Sequence, residues 1–170
     1  MAMPRCAPKS ISLMTFFDSA LRSPDGGYAE GVPASLPRRQ NPQMHVFKAL
    51  VATFDATHDQ AFQARAGDLF GWFIASLYGG RKQVLGEYFE QDWSRIEPFS
   101  VEPGHKAEWV GLLKGFERIS VCPTARHCGE LLASALRLRD AEDRSLVAAI
   151  PSSSFYHMLC AVAAADRALG

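Results

Sequence analysis

The chain has 170 residues, 48% of them hydrophobic, with 11 Phe, 3 Trp and 4 Tyr, which suits one domain with enough apolar surface for a sizeable core. Lys+Arg and Asp+Glu are both 18, so the formal charge is zero and no electrostatic argument points to nucleic acid or to an anionic membrane surface. No apolar run reaches the length needed to span a bilayer.

Residues 1–10 show no periodic pattern and read as a loose leader, ahead of a single domain over residues 11–170. Arg5 and Lys9 are not followed by a long apolar stretch and a small-residue cleavage site, so no signal peptide is expected. The spacing of Leu13, Met14, Phe16, Phe17 and Leu21 predicts an amphipathic helix over 11–21, stopped by the turn signal Arg22-Ser23-Pro24-Asp25-Gly26-Gly27. Residues 28–42 hold Gly31, Pro33, Pro37 and Pro42 with the pair Arg38-Arg39, a long connection of the kind that often carries function, although two arginines also suit a solvated loop. A second helix is predicted over 42–57, with Met44, Phe47, Leu50, Val51 and Phe54 as its apolar stripe. Asn41 and His45 lie four apart at its start and can face one space, though a lone His there is more often structural. His58 falls in the following turn and is expected at the surface.

A third helix is predicted over 59–78, with Phe62, Ala66, Leu69, Phe70, Phe73 and Leu77 inward and Gly79-Gly80 as its stop. Residues 84–89 read as a short strand, half of a hairpin with the stretch around Trp93, with Glu87 and Asp92 solvated. Glu102-Pro103-Gly104 turns into a fourth helix over 105–119, and a fifth spans 126–139 before the charged break at 140–144. Pro151-Ser152-Ser153-Ser154 caps a last helix over 155–169, with His157 in its first turn. Cys6, Cys122, Cys128 and Cys160 form no CxxC pair; they read as buried or free thiols of a reducing, cytoplasmic compartment, and the Cys122–His127–Cys128 grouping is a poor zinc pattern.

The stretch Pro103-Gly104-His105-Lys106-Ala107-Glu108-Trp109 stands out chemically. If the helix starts near His105, Glu108 shares its face. A carboxylate beside an imidazole orients the ring and supports its charged form, which is how a general acid/base is prepared. The same pair also fits a surface ion pair or a cap. More telling is a recurrence: a Pro-containing loop feeds a helix whose first turn holds His45, then His105, then His157. Helix starts in a toroid of helices converge on one mouth, so the three histidines together carry more weight than any one.

Three segments in this order, Arg38-Arg39-Gln40-Asn41-Pro42-Gln43-Met44-His45, Val101-Glu102-Pro103-Gly104-His105-Lys106-Ala107-Glu108-Trp109 and Pro151-Ser152-Ser153-Ser154-Phe155-Tyr156-His157, resemble the N-acylglucosamine 2-epimerase family. Leu85-Gly86-Glu87-Tyr88-Phe89 with Asp92-Trp93 looks like the family's connecting segment, and the likeness covers about residues 12–168. The resemblance implies an all-α fold, an (α/α)6 toroid of helical hairpins with a short β-hairpin and the sugar site at its mouth. It implies aldose–ketose isomerisation or 2-epimerisation by proton transfer at C2 through an enediol. His105 and His157 match the acid/base pair, and Glu108 the carboxylate orienting His105. Asn41 and His45 match substrate-binding positions, with Arg39 and Trp109 as lesser pocket members. No redox cofactor and no metal is implied, and a small sugar is the implied partner.

The chain departs from the family pattern in places. Lys48 stands where an acidic residue is usual, Cys122-Pro123-Thr124-Ala125-Arg126 replaces a Trp-Pro segment followed by Glu, and the opening helices of the toroid have no counterpart. A partial toroid is therefore expected, with an open apolar edge that a second copy would cover. The alternative is an inactive, truncated homologue that binds carbohydrate or another protein. A metal-dependent hydrolase is disfavoured, since no HExxH spacing occurs.

Overall fold

Proline donates no backbone hydrogen bond and is therefore at home in the first turn of a helix. In the computed structural model, which describes residues 7–78, 85–97 and 100–142, α2 (Asn41–Thr57) and α4 (Pro103–Ile119) both begin this way. The other helices are α1 (Ala7–Ala20), α3 (Gln60–Trp72), which passes into a π-helical turn at Phe73–Leu77, and α5 (Ala125–Glu142). Two short strands, β1 (Arg38–Arg39) and β2 (Tyr88–Phe89), pair antiparallel with Arg38 opposite Phe89 and Arg39 opposite Tyr88. The chain divides into two compact units, Met1–Leu77 with Glu87–Phe99 and Tyr78–Gly86 with Ser100–Gly170.

The first unit is built on the α2–α3 hairpin. His58 ends α2 in the left-handed region (φ 57°), its N–H donating to Phe54 O at 2.7 Å. Asp59 starts α3 by accepting from Ala61 N–H at 3.0 Å, so one short turn both stops and starts a helix. Phe47 and Leu50 on α2 and Phe62 and Phe73 further on are fully enclosed. Each such side chain contributes roughly 1.5–3 kcal/mol relative to exposure.

The turn after α1 closes tightly. Ser23 N–H donates to Gly27 O and Gly26 N–H to Ser23 O, both at 3.0 Å, with Gly26 at φ 83° and Gly27 at φ 67°. The Trp72 ring occupies the space a side chain would need: a Cβ on either glycine would lie 2.4–2.5 Å from it. Trp72 Nε1–H donates to Asp25 O at 3.2 Å and Trp93 Nε1–H to Gly26 O at 2.9 Å, and the two indoles meet edge to face at 4.8 Å. Trp93 itself holds φ 65°, a conformation that costs a bulky residue energy. Its buried ring, set against Trp72 and Phe89, offsets that cost.

The second unit is the α4–α5 hairpin. Ala107, Val110, Leu113, Phe116 and Ile119 recur at helical spacing on α4, and Cys128, Leu131 and Ala135 on α5; all are buried. Thr124 begins the return: its N–H donates to Glu117 Oε1 at 3.2 Å and its hydroxyl to Leu113 O at 3.3 Å. Glu117 also holds Lys114 Nζ at 2.7 Å, and that bond keeps its carboxyl below the usual range.

Several elements differ from the sequence reading. α1 begins at Ala7, inside the stretch read as a loose leader. Leu13 and Phe16 of its predicted apolar face are exposed, at 57% and 54%. The strand near Tyr88 pairs with Arg38–Arg39, and its link to the stretch around Trp93 is a single bridge between Phe89 and Arg95. Glu87, read as solvated, is buried. α5 runs on through Asp140 to Glu142, a stretch in which Arg139, Ala141 and Glu142 are good helix formers. The readings for Gly79-Gly80 and for the helix over 155–169 lie outside the described residues. No helix among the described residues is long and apolar enough to cross a membrane.

Replacing Gly27 by Ala must both strain a positive φ and push the Trp72 ring aside. The expected outcome is a loss of about 2–4 kcal/mol, read as a lower denaturant midpoint with an unchanged slope; Gly31→Ala, which meets open space, leaves the midpoint in place.

Candidate functional site

The start of α2 is organised by two buried amides. Gln40, the residue before the helix, takes its N–H to Glu87 O at 3.2 Å and its side-chain Nε2 to Glu87 Oε2 at 3.1 Å. Gln43 clamps Tyr28: its Oε1 accepts from Tyr28 N–H at 2.9 Å and its Nε2 donates to Tyr28 O at 2.6 Å. Neither glutamine is exposed. Loop and strand are thereby fastened to the turn that carries Asn41.

The predicted residues of the first unit occupy different settings. Asn41 is half-buried at the first position of α2. Arg39 lies at the surface, its Nε 3.5 Å from Glu30 and its guanidinium 5.7 Å above the Tyr88 ring. The neighbouring Arg38 points the other way, half-buried, with its guanidinium 5.1 Å above Trp93. His45 is exposed and lines a groove of about 200 Å³ with Leu13, Met14, Phe17, Val46, Ala49 and Thr53.

In the second unit, Pro103 at the first helical position makes Glu102 the N-cap and His105 the third helical residue. Those two positions face each other in a capping box. Glu102 Oε2 lies 3.2 Å from His105 Nδ1, with both side chains partly exposed. The sequence reading gave the orienting role to Glu108; the carboxylate placed at Nδ1 is Glu102, with Glu108 half-buried one turn on. A proton on Nδ1 donated to Glu102 leaves the lone pair of the neutral ring on Nε2. Trp109, read as a lesser pocket member, is completely buried. His157 lies outside the described residues. Asn41, His45 and Arg39 belong to the first unit, and His105, Glu108 and Trp109 to the second.

Cys128 and His127 are engaged structurally. Cys122 and Cys128 are free thiols. Burial pushes the Cys128 thiol up, and its sulfur lies 3.9 Å from Val110 O and 3.7 Å from Thr124 Oγ1. The His127 ring packs 5.2 Å from Tyr78, whose hydroxyl donates to Glu130. Burial and then that carboxylate raise the phenol, while the same bond and Arg126 lower Glu130.

The signal for Glu102 was present in the sequence as the residue before an N1 proline. Gln40, Gln43 and Glu87 had no such signal, since their burial depends on partners 15 and 47 residues away.

Each unit is built on a helical hairpin, the first with a two-stranded ribbon, and this all-α fold is of the (α/α)6 toroid class by its likeness to a solved structure. The crystal structure of a D-mannose isomerase superposes with a TM-score of 0.67 at 22% identity, covering 78% of this chain and 38% of that one. Residues 7–145 match the N-acylglucosamine 2-epimerase (GlcNAc 2-epimerase) family, and the chain belongs to it. A mannose-6-phosphate isomerase from Rhizobium meliloti (strain 1021) is 30% identical over 113 residues, 62% of this chain and 28% of that protein. A D-mannose isomerase from Thermobifida fusca is 32% identical over 88 residues, 45% and 22% of the respective chains. The chain therefore spans less than a third of the length of these curated relatives.

The clamped Tyr28 gives a measurable pH dependence. Burial, then its 2.9 Å bond to Asp18, raises its phenol to about 12 from an ordinary 10.0. A raised native value favours the protonated form, so the stability from Tyr28 is complete below pH 10 and is lost as pH climbs toward about 12. Melting temperature followed from pH 9 to 12 should fall more steeply in the wild type than in Tyr28→Phe.

Proposed function

We propose that the chain carries the acid/base part of a sugar isomerase or 2-epimerase, acting on an aldose such as those in the names of its relatives. The observation that carries the reading is the Glu102–His105 pair at the start of α4, in a segment matched to the family. Its chemistry suits proton transfer beside a carbonyl. On an open-chain aldose, Nε2 of one histidine removes the C2 proton; the C–H electron pair becomes the C1–C2 double bond and the carbonyl oxygen takes the charge, giving an enediolate. Return of that proton to C1, with the O2 proton passing to O1, gives the ketose. Return to the other face of C2 gives the epimer. His105 and His157 are assigned these transfers, with Glu102 holding His105 in one tautomer and Glu108 on the same helix as a further carboxylate. Donors near the developing oxyanion supply the remaining stabilisation, a role assigned to Asn41 and His45, with Arg39 a lesser contact. The reading requires neither metal nor redox cofactor and places the protein in the cytoplasm.

A second reading has its own support: Lys48 and Cys122-Pro123-Thr124-Ala125-Arg126 depart from the family pattern, so a sugar-binding or interaction protein without turnover also fits. The two separate cleanly in heavy water. Incubation with mannose or another aldose, followed by proton NMR, should show deuterium entering at C2. His105→Ala and His157→Ala should each slow that entry by roughly 10²–10⁴-fold, the usual contribution of a positioned acid/base. Saturable binding with no deuterium at C2 would instead favour the second reading.

A further inference from the structure

Lys106 is a charged side chain that the proposed reaction does not use. It follows His105 in the first turn of α4, and it is wholly buried. Its Nζ donates to Ser134 Oγ on α5 at 3.1 Å, and Ser134 is buried too. Withdrawing an ammonium from water costs several kcal/mol, and an apolar side chain of equal length often serves packing as well or better. What lysine adds is a directional bond of fixed length.

That bond has a particular place. Polar links step along the α4–α5 contact: Thr124 hydroxyl to Leu113 O, then Cys128 sulfur beside Val110 O, then Lys106 to Ser134. The last lies at the turn that carries the imidazole. The backbone of the same residue closes that turn, because Lys106 N–H donates to Glu102 O at 3.4 Å. One residue thus ties the Glu102 peptide from one side and α5 from the other, with His105 between them in sequence.

We propose that Lys106 is a positioning residue for His105. Its ammonium pins the first turn of α4 to Ser134 and so fixes the geometry in which Glu102 meets His105 Nδ1. The inference rests on the acid/base reading of His105 for its functional meaning, but its structural content is measurable alone.

The test uses the full chain labelled with ¹⁵N-histidine. The His105 resonances are assigned by their loss in His105→Asn. The wild type should show one locked tautomer, with the proton on Nδ1. Lys106→Met and Ser134→Ala should keep the helical circular dichroism yet move His105 to the averaged pattern of a solvent imidazole. A folded Lys106→Met chain with the wild-type His105 pattern overturns the proposal, as does a wild type with no locked tautomer. If Lys106→Met fails to fold, Ser134→Ala decides by the same two outcomes. Where the wild type exchanges the sugar C2 proton, Lys106→Met should lower kcat roughly ten- to a hundredfold with KM little changed, as expected for a misplaced catalytic group. Where the wild type exchanges none, the catalytic reading has failed, and the imidazole pattern alone decides on Lys106.

Discussion

A buried polar group must find a partner inside the protein, and in both units this constraint fixes where helices begin. In the first unit, Gln40 and Gln43 meet it through Glu87 and through both backbone groups of Tyr28. An apolar stripe alone tolerates small slips along or around a helix. An amide that must receive and donate at once does not. The β1–β2 pairing, the loop through Tyr28 and the first turn of α2 are consequences of that requirement. The second unit solves the same problem with Thr124, Glu117 and the residues facing them.

Candidate residues of both units lie at helix starts, Asn41 on α2 and His105 on α4. Helix starts expose unpaired N–H groups and the positive end of the peptide dipoles, so they attract carboxylates and oxyanions. Glu102 is the residue before the first turn of α4, and its side chain lies 3.2 Å from His105 Nδ1. Its carboxylate meets the imidazole and makes no bond to a backbone N–H of the first turn. α2 starts in the same manner: Gln40 makes no side-chain cap, and Pro42 supplies the rigid entry.

The helices were readable because their apolar residues repeat at the right spacing and because Pro and Gly mark their ends. Met44, Phe47, Leu50 and Val51 all face inward as their spacing implies. The same logic misplaced Leu13 and Phe16, since periodicity tells which residues share a face and not whether anything covers it. The ribbon partner of Tyr88–Phe89 was hidden because it lies some fifty residues upstream and is only two residues long. The helix start that carries His105 was readable from its Pro-Gly approach. The contact of Glu102 with Nδ1 runs backward along the chain, across the Pro-Gly pair, where helical periodicity gives no signal. Lys106 gave no warning, as nothing local distinguishes a buried lysine from a solvated one.

The three tryptophans, all that the chain contains, are divided between the units. Trp72 and Trp93 stand 4.8 Å apart at 77° in the first, and Trp109 is sealed in the second. Indoles that close couple their strong far-ultraviolet transitions, so an exciton couplet there belongs to the first unit and vanishes when the Gly26–Gly27 turn opens. The emission of a shielded indole such as Trp109 shifts to the red only when water reaches it. The chain thus carries two native optical reporters, and the order in which its halves come apart can be followed with no label added.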